Sequence, residues 1–68
     1  MKVRLYDTPL DALEAAREKA IKDNRKIYIY THAFGSYFIS EDYLSTNIGE
    51  AYPGGRVVWK GGSLTHER

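Results

Sequence analysis

The sequence predicts a single small α+β domain. One helix should pack on one face of a three- or four-stranded sheet, with the elements in the order β-α-β-β-β. Three observations predict it. One segment alone carries helical periodicity, and it has capping residues at both ends. One run of five residues is wholly β-branched or aromatic. Turn signals then separate two further short apolar runs. At 68 residues there is room for one domain, taken as residues 1–62, with 63–68 reading as a frayed tail.

Residues 2–6 open as a short strand, because Val3 and Leu5 alternate with Arg4 and Tyr6. A helix start follows. Thr8 can accept a free backbone N–H as N-cap, Pro9 suits the first helical position, and Asp11 favours the positive helix end. The helix should run from Pro9 to Asp23, with Leu10, Leu13, Ala16, Ala20 and Ile21 on one side. Glu18 and Lys22 are spaced for an i,i+4 pair, and Asn24 suits a left-handed helix end. Ile27-Tyr28-Ile29-Tyr30-Thr31 is the strongest strand, His32–Gly35 a turn, and Ser36–Ser40 the returning strand. Residues 41–51 are ambiguous, with a short helical turn after Ser40 as one reading. Tyr52-Pro53-Gly54-Gly55 is a turn before a last strand at Arg56–Lys60.

One helix covers one sheet face, so the other must meet water or a partner. If Ile27 and Ile29 face the helix, Tyr28 and Tyr30 face away, joined by either Phe38 or the pair Tyr37 and Ile39. Trp59 goes with Val57. The charge map is uneven. Residues 1–30 carry seven basic and five acidic side chains. Residues 31–55 carry no lysine or arginine, three acids, and five of the nine aromatic residues. That neutral-to-acidic, ring-rich stretch has the composition of a protein-binding surface. Its candidate contact residues are Tyr37, Phe38, Glu41, Asp42, Tyr43 and Tyr52, and the partner they suit is a protein with a basic surface.

Other chemistries find less support. No cysteine is present, so a disulfide scaffold and a thiolate zinc site are excluded. His32 and His66 are not at metal-ligand spacing, and neither a metal nor a cofactor is expected. Ser36 and Ser40 lie near His32, but no nucleophile elbow or phosphate loop accompanies them, so the chain is not expected to be an enzyme. Tyr28, Tyr30 and Trp59 flanked by Arg56 and Lys60 offer an alternative face for single-stranded nucleic acid. A pI near 8.0 and the acidic middle stretch weigh against it. A homodimer closing the uncovered face is a third reading. No apolar run is long enough for a membrane span, and the first residues lack a signal-peptide core, so a cytoplasmic setting is expected.

Thr8-Pro9-Leu10-Asp11-Ala12-Leu13-Glu14-Ala15-Ala16-Arg17-Glu18, followed by Ile27-Tyr28-Ile29-Tyr30, resembles small single-domain proteins encoded by phages and mobile elements. The likeness covers those residues only. It implies a host-cytosol inhibitor of defence or transcription, of the anti-CRISPR kind, that occludes a surface without catalysis. It assigns no individual residue a role.

Overall fold

Helix and strand boundaries follow the local chemistry closely. A computed structural model describes residues 4–60, which form α1 (Pro9–Asp23), β1 (Ile27–His32), a 3-10 turn (Ala33–Gly35), β2 (Ser36–Ser40), β3 (Gly49–Ala51) and β4 (Val57–Trp59). Thr8 Oγ1 accepts the Asp11 N–H at 3.1 Å, and Asn24 ends the helix in the left-handed region with its N–H on the Ala20 carbonyl. The i,i+4 ion pair is Lys19–Asp23, at 3.0 Å, in place of the expected Glu18–Lys22.

The strands form one antiparallel sheet in the order β2-β1-β3-β4. The α+β class, with one helix against one face of the sheet, is as the sequence predicts. Two elements differ from the expected order. Within the described part of the expected first strand, Tyr6 alone pairs, through an isolated antiparallel bridge to Tyr37. Residues 2 and 3 of that strand, and the tail from 63 onward, lie outside the described residues. The fourth strand comes from the ambiguous stretch: Gly49–Ala51 pairs with β1 on one side and β4 on the other. Neighbouring strands offer backbone partners on both sides, and that overrides the weak strand propensity of Gly-Glu-Ala.

Helix and sheet meet along small residues. Ala12, Ala16 and Ala20 are fully buried against Ile27, Ile29 and Ala51. The line of closest approach is thus alanine throughout. Leu13 flanks it half-buried, while Leu10 and Ile21, expected on the covered side, are about half exposed. The register puts Tyr37, Ile39, Gly49, Val57 and Trp59 on the helix side with Ile27 and Ile29. Tyr28, Tyr30, His32, Phe38, Glu50 and Val58 take the outer side.

Gly49 has no room for a side chain. A Cβ there would sit 3.1 Å from Trp59 Cε3 and 3.3 Å from Ile29 Cδ1. Neither neighbour has slack, since Ile29 is fully buried and the indole is packed against the core. Gly49→Ala is therefore expected to lower stability by about 1–3 kcal/mol, read as a shifted urea midpoint with an unchanged slope.

Candidate functional site

The outer face is largely closed by the chain itself. The segment between β2 and β3 crosses over it, and the Tyr30 hydroxyl pins that crossing. It donates to the Asp42 carbonyl and accepts the Leu44 N–H at 2.9 Å. Tyr43 lies edge-on over Tyr28, with ring centroids 5.4 Å apart. Ser40 Oγ accepts the Asp42 N–H, and Asn47 turns back on the Leu44 carbonyl through both its backbone and side-chain nitrogens. Tyr28 and Tyr30 are left only 9% and 4% exposed. Burial raises the Tyr30 hydroxyl above its ordinary pKa.

This placement corrects the nucleic-acid face. Tyr28 and Tyr30 are under the crossing, and Trp59 is on the opposite side of the sheet, against Gly49. The three rings share no surface. Arg56 and Lys60 do lie on the outer side, but they are already engaged. Arg56 sits 4.7 Å from the Tyr52 ring centroid, and Lys60 Nζ is 3.1 Å from Glu50 Oε2.

The protein-contact residues are also divided. Tyr37 points to the helix side and packs on the core, whereas Phe38 points outward and stacks on Tyr30 at 5.2 Å. Adjacent residues of one strand cannot serve one patch. Glu41 is held by Arg25 at 2.8 Å, and Tyr52 donates to Glu50 at 2.7 Å. Tyr43, 60% exposed, and the exposed Asp42 face solvent.

Glu50 centres a compact polar cluster. Its carboxylate takes the Tyr52 hydroxyl, Lys60 and, at 3.6 Å, Lys26, and its side chain is 14% exposed. The Tyr52 hydrogen bond and then Lys60 hold its pKa below the usual carboxylate range, with Lys26 adding to them against desolvation. Lys26 also lies over the rings of Tyr28 and Tyr52. Desolvation works to lower the Lys26 pKa, but Glu50 and the two tyrosines outweigh it, so the net direction is upward. This cluster ties the start of β1 to β3, β4 and the turn between them.

The feature that sequence reasoning passed over is Phe34. It stands at the tip of the β1–β2 hairpin, fully exposed, with φ 63° and ψ 30°. Gly35 follows at φ 75°, and the Ser36 N–H closes the turn on the Ala33 carbonyl. Two successive residues at positive φ are the backbone of a primed hairpin turn, where Asn-Gly is the favoured pair. A bulky ring at the first of these positions is disfavoured by about 1–2 kcal/mol. The signal was the dipeptide Phe34-Gly35 between two strand-like runs. Thr31, His32 and Ala33 beside it are exposed too, so the hairpin end projects beyond the helix. His32 meets Phe38 edge-on at 6.0 Å. His32 and Phe38 thus lie together on the outer side, with the exposed Phe34 at the hairpin tip and the exposed Tyr43 and Leu44 on the crossing segment.

Ser36 Oγ donates to the Ala33 carbonyl and Ser40 Oγ accepts from Asp42, so both hydroxyls near His32 serve local turns. His66 lies outside the described residues. Among the described residues no group of three metal-ligating side chains comes together, and no helix is long and apolar enough to cross a membrane. An open trough of about 710 Å³ runs between residues 4–7 and α1, lined by charged side chains of both signs, including Arg4, Asp7, Asp11, Glu14 and Lys22. No protein-family model, curated protein or solved structure matches the chain.

Two outcomes are expected. Phe34→Asn should raise stability by about 1 kcal/mol, seen as a higher urea midpoint, because it relieves a disfavoured backbone. Glu50 has a depressed folded-state pKa, so its stabilising contribution is present above the ordinary carboxylate range and is lost as pH falls through the folded value. Urea titrations over a pH series should show an acid-side fall in stability that is shallower in Glu50→Gln.

Proposed function

We propose that this chain is a small non-catalytic protein-binding module that works by covering part of its target's surface. The contact band runs from Phe34 at the hairpin tip through His32 and Phe38 to Leu44 and Tyr43, with Asp42 alongside. One observation carries the reading: Phe34 keeps a fully exposed ring in a left-handed backbone, with no packing against the described residues. The turn needs that backbone but not that side chain, and a bulky ring kept there against its backbone preference is explained by a contact outside the fold. The band has the make-up of an interface centre, with aromatic anchors and little charge. The target's complementary surface is apolar at the tip and basic near Asp42, beside the Arg25-paired Glu41. An inhibitor of a bacterial nucleic-acid-handling machine is the finer form of the proposal, and it rests on the resemblance and the acidic pair alone.

Nucleic-acid binding by ring stacking is less favoured. It needs free ring faces beside cations, and here Lys26 and Arg56 lie over the Tyr52 ring while the crossing segment covers Tyr28 and Tyr30.

The test is affinity capture from bacterial lysate with the wild-type chain, Phe34→Ser and Tyr43→Ser, followed by affinity measurement on whatever the wild type retains. Each substitution should weaken that binding by about 2 kcal/mol, roughly thirtyfold, as for an interface anchor. Equal retention by all three chains would remove the band. Binding to a single-stranded oligonucleotide that falls steeply with salt would favour the nucleic-acid reading instead.

A further inference from the structure

We propose that two copies of this chain associate edge to edge through β4, making one continuous eight-stranded sheet. The surface is distinct from the hairpin band, because β4 is the sheet's outermost strand on the side away from β2. Its hydrogen-bonding sense follows from its ends. Arg56 gives its carbonyl to the Tyr52 N–H, and Lys60 gives its N–H to the Ile48 carbonyl, so both residues turn their backbone inward. By antiparallel alternation Val58 also turns inward, and Val57 and Trp59 present their N–H and C=O groups outward. Among the described residues nothing pairs with these four groups.

A second copy fits them in one symmetric register. Val58 faces Val58 of the second copy across a two-fold axis, and Val57 pairs with the second copy's Trp59 on either side. All four outward groups of each chain are then used, and among the described residues sliding the register by two residues leaves some without a partner. The side chains agree with this. Val57 and Trp59 lie on the helix side, yet α1 lies over β2, β1 and β3, so both are only half-buried. Edge pairing gives each a cross-strand neighbour on the same face, an aliphatic residue against an indole. The outer side of β4 brings Arg56 beside the second copy's Lys60, so association strengthens as salt screens that repulsion.

The β4 geometry makes selective tests available. Val57→Pro removes an N–H that β3 does not use, so the monomer keeps its ladder while the edge loses a donor. Facing residues of a non-hydrogen-bonded pair have Cα atoms about 4.5 Å apart, within disulfide reach. The chain has no cysteine of its own, so Val58→Cys carries a single thiol.

Sedimentation over a concentration series should show a reversible dimer that tightens with salt. Val57→Pro should raise its dissociation constant roughly tenfold or more with an unchanged circular dichroism spectrum. Mild oxidation should cross-link Val58→Cys to a covalent dimer far faster than Ser45→Cys, a thiol on the exposed crossing segment. A chain that stays monomeric throughout, with Val57 and Trp59 amides protected from exchange, would mean that its own residues cover this edge, and would overturn the proposal. So would a dimer that neither Val57→Pro nor Val58→Cys affects.

Discussion

A four-stranded sheet has two faces, and among the described residues one α-helix is there to cover them. The Tyr30 hydroxyl resolves the mismatch. It reaches out from the middle of β1 and takes both a carbonyl and an N–H of the segment between β2 and β3. A connection with no helix or strand of its own thereby becomes a cover for the second face. Two backbone polar groups that would otherwise need water find a partner in a side chain. The outer rings are then sorted by whether they lie beneath that cover, as Tyr28 and Tyr30 do, or beyond it, as Phe38 and His32 do.

On the other face the controlling variable is side-chain size. Ala12, Ala16 and Ala20 bring the helix backbone close to Ile27 and Ile29, and Gly49 admits the Trp59 indole beside them. Close approach leaves the larger helix residues at the margins. Leu10 and Ile21 are therefore half exposed, because the alanine line already fills the space above the sheet.

Much of this was readable from residues one at a time. Thr8-Pro9 and Asn24 mark the helix ends through local hydrogen bonding and backbone preference, so no distant contact was needed to place them. The alternation of Ile27 to Tyr30 assigns faces correctly for the same reason. Gly49–Ala51 was not readable as a strand, since its pairing is supplied by β1, which is far away in sequence, and by the three-residue β4 across the Tyr52–Arg56 turn. The candidate site suffered most. Composition makes Tyr37 and Phe38 joint anchors, but strand parity sends them to opposite sides. Tyr28 and Tyr30 looked exposed because a hydroxyl-to-backbone bond across 12 or 14 residues leaves no mark in hydrophobic patterning. Phe34 was passed over because its importance lies in a backbone angle.

The cover over the outer face is attached differently from the strands and the helix. The strands hold one another by ladders and the helix by its fully buried residues. The crossing segment is held by the Tyr30 hydroxyl, the Arg25–Glu41 pair, Ser40 and an edge-on ring contact. Its release uncovers two tyrosine rings without breaking a single strand pairing. Opening of that segment therefore requires the loss of only a handful of side-chain interactions, and it would leave the sheet intact with its aromatic surface enlarged.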